Sequence, residues 1–144
     1  MKIAVITGAS SGIGKEICFA LQDRIPVIQE FWLFSRRKES LLEVEDQLFR
    51  PVRIFPWDLS EERSFKMYED LLEKENPEIL FLVNAAGFGK LGKVAEIPVA
   101  EQLKMLDLNV KALTAFTLKS LEYMGSNSRI IQMASAAAFL PQAE

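Results

Sequence analysis

The sequence contains no histidine. That absence removes Ser-His-Asp triads, Cys-His pairs, histidine zinc sites and histidine general bases together. Cysteine occurs once, as Cys18, so neither an internal disulfide nor a cysteine metal cluster can form. No metal site is expected, and a reducing, cytoplasmic setting is the default for such a chain. Charge of one sign is also scarce: 17 Lys+Arg stand against 20 Asp+Glu, a net −3. No basic footprint for nucleic acid follows from that balance. No apolar stretch approaches the ~18–20 residues of a membrane span. The N-terminal apolar run, residues 3–6, leads straight into a glycine loop and does not read as a signal peptide. What is present is 144 residues, 49% apolar and 26% charged. That is globular composition at a length able to bury a core, and we expect one domain over 1–144.

Short apolar runs at 3–6, 31–34, 52–55, 79–83 and 128–134 read as buried parallel strands. Amphipathic stretches separate them. Ile13, Ile17, Ala20 and Leu21 share one face of 13–24, and Leu41, Val44 and Leu48 share one face of 40–49. Ser60 is the expected N-cap of a third helix, with Arg63 where a capping box needs Glu. Phe65, Tyr68, Leu71 and Leu72 supply its inner face. Pro26, Pro51 and Pro77 close these three helices. After Pro98 a helical pattern runs over 99–124, long for one globular helix, and a kink or break is expected near Asn109. Phe31, Trp32 and Phe81 are core candidates. Strands alternating with helices predict an α/β fold, a parallel sheet covered on both faces.

The chemistry concentrates in Thr7-Gly8-Ala9-Ser10-Ser11-Gly12-Ile13-Gly14, between the first strand and first helix. Glycines there permit a tight turn and let backbone N–H groups approach a pyrophosphate at the helix N-terminus. Ser10 and Ser11 add hydroxyls within reach of a ribose or its phosphate. The spacing is G-x-x-x-G-x-G rather than G-x-G-x-x-G.

This loop resembles the cofactor loop of the short-chain dehydrogenases/reductases, and four later positions match that family in order. Asp58-Leu59 follows the third strand, where the family's aspartate meets the adenine, although Asp58 also reads as a turn cap before Ser60. Asn84-Ala85-Ala86-Gly87 follows the fourth strand, like the family's N-N-A-G with Ala85 in place of the second Asn. Asn109 matches the mid-helix asparagine, and Ser135, after the fifth strand, matches the catalytic serine. The resemblance covers the whole chain. It implies a doubly wound Rossmann-type sheet in the order 3-2-1-4-5. It also implies an oxidoreductase that transfers hydride between a nicotinamide dinucleotide and a small alcohol or carbonyl. Ser135 would hold the substrate oxygen and Asn109 would support a water. Homodimers or larger homo-oligomers are implied as well.

Cofactor choice is read at the end of the second strand, Ser35-Arg36-Arg37-Lys38, with no acid before Glu39. An acid there would bind the 2′-OH of NAD and repel the 2′-phosphate of NADP, whereas a guanidinium bonds that phosphate through two charged N–H groups. NADP(H) is therefore expected over NAD(H), with Arg36 the first choice and Arg37 the second.

The family's base is a tyrosine followed four residues later by a lysine, usually 13 residues beyond the serine. From Ser135 that is position 148, past Glu144. Tyr68 has Leu72 at +4 and Tyr123 has Asn127, so neither substitutes. The chain therefore looks like the front part of such an enzyme. It is expected to be inactive alone, to leave its fifth strand as an open edge and to self-associate. The alternative is a non-catalytic dinucleotide-binding sensor or partner subunit.

Overall fold

A computed structural model of the protein describes residues 1–135; residues 136–144 of the expected domain lie outside the described residues. Five parallel strands, β1 (Lys2–Thr7), β2 (Glu30–Phe34), β3 (Val52–Phe55), β4 (Glu78–Asn84) and β5 (Arg129–Gln132), form one sheet in the order β3-β2-β1-β4-β5. The sheet is the one expected, apart from β5, which is shorter than the 128–134 run.

Alternate residues of the central strands feed two cores, which is why their sequences read as unbroken apolar runs. Ala4, Ile6, Phe31 and Leu33 enter one core with Cys18 and Leu21 of α1 (Gly12–Arg24) and Leu41 and Val44 of α2 (Lys38–Glu45). Ile3, Val5, Trp32 and Phe34 enter the other with Tyr68 and Leu72 of α3 (Arg63–Glu75) and Phe116 of α5 (Leu113–Ser120). Pairing of β1 with β4 skips Leu80, so Ile3 faces Ile79 and Ala4 faces Phe81. That one-residue irregularity leaves Leu80 and Phe81 against the same core.

Three boundaries differ from the sequence reading. The second helix starts at Lys38 and ends at Glu45 rather than spanning 40–49; Gln47 and Leu48 turn back onto Val44 and Glu45 carbonyls before Pro51. Ser60 does not cap α3, whose first residue is Arg63. The nearer Asp58 carboxylate captures the Ser60 N–H and hydroxyl and closes a turn instead. Helix α3 ends where Asn76 takes a left-handed φ of 41° and its N–H reaches the Leu72 carbonyl, ahead of Pro77. Finally, the change expected in 99–124 near Asn109 is a π turn between two α-helices rather than a break in the chain of helical residues. Helix α4 (Val99–Leu106) passes into a π-helical turn, Asp107–Ala112, then into α5 and a 3₁₀ turn, Leu121–Tyr123. The extra residue is taken up by wider i→i+5 bonding, which separates α4 from α5 at the position of Asn109.

Candidate functional site

Strand β1 lies between β2, which follows it, and β4, which comes later, so the loops leaving β1 and β4 part at its C-terminal end. Open α/β sheets bind ligands at such a divergence. A cleft of about 480 Å³ lies there, within the usual range for a ligand site. The glycine loop contributes Gly8, Ser10, Ser11, Gly12, Ile13 and Gly14, and the turn after β2 contributes Ser35, Arg36 and Arg37. Trp57, Asp58 and Leu59 line it from the loop after β3, and Ala85, Ala86 and Gly87 from the loop after β4.

The floor is held by backbone contacts too close for side chains. A Cβ on Gly8 would stand 2.6 Å from the Ala85 carbonyl oxygen, and a Cβ on Gly14 would collide with the Gly8 carbonyl oxygen. Thr7 locks the same junction: its hydroxyl accepts the Ala85 and Ala86 N–H groups, each at 3.2 Å, and donates to the Val83 carbonyl. The Gly8 N–H donates to the Phe34 carbonyl at 2.8 Å, tying the loop to β2 as well.

The N-terminus of α1 is open to an anion. Ser11 occupies the cap position, yet its hydroxyl makes no capping bond and no acid lies in the first turn. That hydroxyl accepts instead from the Arg37 guanidinium at 3.1 Å. The first N–H groups of a 13-residue helix are therefore left for another acceptor, with the dipole adding to them. Ser35 donates to the Ser10 hydroxyl at 2.7 Å, so three hydroxyls and a guanidinium are gathered at one rim.

Across the rim, Asp58 Oδ1 accepts the Ser60 N–H at 3.0 Å and the Ser60 hydroxyl at 2.6 Å. Partial burial pushes the Asp58 carboxyl up, but the Ser60 bonds and the positive charges of Lys104 and Arg36 outweigh it. The net result lies below the ordinary carboxylate value. Asp58 thus closes the turn before Ser60 and also lines the cleft.

Asn84, Asn109 and Ser135 do not line this cleft. Asn84 is buried, and its amide donates to the Thr117 hydroxyl at 3.0 Å and the Gln132 amide oxygen at 2.9 Å. Asn109 grips the loop after β4 from both sides: Oδ1 accepts the Phe88 N–H at 3.0 Å, and Nδ2 donates to the Phe88 carbonyl at 2.8 Å. Ser135 is exposed, two residues past the lining Met133. The Tyr68 phenol is buried against the Ser120 hydroxyl at 2.8 Å, and burial raises its pKa. Sequence reasoning missed four lining residues: Phe34, Trp57, Leu108 and Met133. Trp57 had a signal, since it directly precedes Asp58 and could offer a base an apolar wall. Leu108 adjoins Asn109, so position alone could have suggested it.

Residues 2–144 match the model of the short chain dehydrogenase family. An uncharacterized oxidoreductase of Staphylococcus epidermidis is 30% identical over 142 residues, covering 97% of this chain and 60% of that protein. The closed form of a serine dehydrogenase, solved with NADP+, superposes with a TM-score of 0.81 at 26% identity, covering 98% of this chain and 57% of the other. A Sphingobium yanoikuyae short-chain dehydrogenase in complex with NADPH gives a TM-score of 0.82 at 23% identity, over 99% and 57%. The chain thus spans about 60% of the length of the curated relatives it matches. With the family model matched from Lys2 onward over a parallel sheet that carries the glycine loop at its divergence, the chain belongs to the short chain dehydrogenase family.

Proposed function

We propose that the cleft binds NADP(H), and that the enzyme built on these residues moves hydride between that cofactor and a small alcohol or carbonyl. The observation that carries this is the open α1 N-terminus, gathered with Arg36 and Arg37 into one cleft. The uncapped N–H groups suit a pyrophosphate, and the glycines leave room for it against the backbone. Arg36 and Arg37 suit a 2′-phosphate, and no acid from β2 or the turn after it lines the cleft to repel one. Asp58, Trp57 and Leu59 suit the adenine end: a carboxylate for its amino group and apolar faces for its ring. The serine dehydrogenase relative, solved with NADP+, supports the same choice.

The cofactor, when bound, supplies or takes the hydride. The chain's own residues bind and orient it. Ser135, just beyond β5, is the candidate to hold a substrate oxygen, and Asn109 to keep the β4 loop in place beneath it. No tyrosine accompanies them among the described residues: Tyr68 is buried and bonded to Ser120, and Tyr123, raised by desolvation and nearby carboxylates, does not line the cleft. These 144 residues alone should therefore turn over no ketone.

The apolar stripe of α4 and the π turn, with Val99 71%, Leu103 54%, Leu106 57% and Val110 55% exposed, supports a homodimer paired through these helices.

Titration calorimetry tests the cofactor reading. NADPH should bind more tightly than NADH. Arg36→Ala should weaken NADPH alone, by roughly 1.5–3 kcal/mol for one lost charged partner. Equal affinities in the parent chain would refute the assignment.

A further inference from the structure

We propose that pairing with a second copy of this chain and binding of the dinucleotide strengthen each other through the π turn at Asp107–Ala112. The inference rests on the homodimer and cofactor readings above and adds the link between them.

The exposed stripe does not stop at Val110. Leu118 and Leu121, on α5 and the 3₁₀ turn, are 61% and 49% exposed. Twelve residues of plain α-helix would set Leu118 about 120° round from Leu106. The π turn lodges one extra residue between them and takes back about 100°, so the two leucines fall on one line. That line is nearly symmetric about Val110: Val99 and Leu121 each lie 11 positions from it, and Leu103 and Leu118 lie 7 and 8. A two-fold axis at Val110 sets Val99 against Leu121 of the second copy and Leu103 against Leu118. This is the self-complementary pattern an isologous contact needs. The charges bordering the line are already paired within one chain. Glu101 meets Lys90 at 3.1 Å, Lys104 meets Asp58 at 3.9 Å, Asp107 meets Lys111 at 3.4 Å and Lys119 meets Glu69 at 3.0 Å. Closing the line against its own copy strands none of them.

The same turn reaches the cleft. Leu108 lines it, and the Asn109 carboxamide holds both backbone groups of Phe88, at 3.0 and 2.8 Å. Gly87, one residue earlier, also lines the cleft, and a Cβ on it would stand 3.1 Å from Asn109 Oδ1. Rewinding the π turn to α-helix would turn α4 by about 100° against α5. That motion would break the apolar line, draw Leu108 away from the cleft and pull Asn109 off the β4 loop. A partner buried against the line and a cofactor resting on Leu108 and Gly87 therefore favour the same winding, and each raises the affinity for the other.

Analytical ultracentrifugation and calorimetry on the 144-residue chain test the link. NADPH should bind about fivefold more tightly, or better, above the dimer dissociation constant than below it. Saturating NADPH should tighten pairing by the square of that factor, about 25-fold or more, because a dimer fills two sites. Val110→Glu and Leu118→Glu, both at exposed positions, should keep the parent's circular dichroism. Each should stay monomeric with or without NADPH and bind it as the dilute parent does. A parent dimer equally strong with and without NADPH, or weaker with it, would overturn the inference alone. A parent that binds NADPH yet is monomeric throughout, or variants that still pair, would overturn pairing through these helices, and the inference with it. A parent that pairs but binds no NADPH would overturn the cleft reading, and again the inference with it.

Discussion

Two alanine substitutions in the β1–α1 loop should separate binding from folding. Gly12 has φ +56°, and a Cβ there meets nothing within 4 Å. Its cost in the free protein is left-handed strain alone, ~1–2 kcal/mol, or a melting temperature lower by roughly 2–8 °C. Gly12 also lines the cleft at the open end of α1. A phosphate resting on those amides sits at hydrogen-bond distance, about 3 Å, and leaves no room for a methyl group. NADPH affinity should fall at least tenfold. Gly14→Ala is the converse. Gly14 has no left-handed φ, but its Cβ collides with the Gly8 carbonyl oxygen and stands 2.9 Å from the Gly8 carbon and 3.3 Å from the Ala85 Cβ. The first two obstacles are backbone, so relief requires α1 to lift off β1. Overpacking of this kind costs typically ~1–3 kcal/mol, and here rigid neighbours place it at the upper end. Urea denaturation should therefore rank Gly14→Ala below Gly12→Ala, which in turn should bind NADPH far more weakly than the parent. A Gly12→Ala protein that binds NADPH as the parent does would show that no phosphate lies over these amides. A Gly14→Ala protein as stable as the parent would refute the close packing of loop and helix.

Asn109→Ala frees both backbone groups of Phe88 and should cost about 1 kcal/mol; faster tryptic cleavage at Lys90 and Lys93 would report the loosened loop. Tyr68→Phe keeps the ring stack on Phe116, 4.1 Å between centroids, and Ser120 keeps its bond to the Phe116 carbonyl. Urea denaturation should therefore show a loss of only about 1 kcal/mol. Leu106→Glu places a charge in the exposed stripe of α4 and should convert an associated chain to monomer by light scattering; unchanged mass would exclude α4 from the contact. At high protein concentration the 144-residue chain should oxidise no NADPH against a panel of ketones and aldehydes, and turnover lost on Ser135→Ala would show a proton donor where none is expected.

Much of this was legible because the signals were short-range. Unbroken apolar runs such as Ile3-Ala4-Val5-Ile6 can only be buried on both faces, and that fixes a parallel sheet with helices above and below. The glycine loop was legible because a close approach of backbones admits no other residue: the contact that bars a Cβ at Gly14 is made within the loop itself. What was not legible depended on competition or on distant partners. Ser60 looked like a helix cap because caps are read from the residues that follow, yet the carboxylate two positions before it won its hydrogen bonds. The length of the 99–124 pattern predicts a kink or break near Asn109, but not what occupies that position. The Asn109 side chain is matched 21 residues away, at Phe88, and a π turn holds it between α4 and α5. Lys104 carries no signal in the sequence, since a lysine on an amphipathic helix is ordinarily a solvated charge. Its place beside Asp58, 46 positions away in sequence, follows from the packing of Ala112 and Phe116 against Tyr68 and Leu72 of α3. A one-dimensional pattern carries the elements that fold against their sequence neighbours. The side chains that tune a site come from elements brought there by the sheet order, and their roles appear only once that order is known.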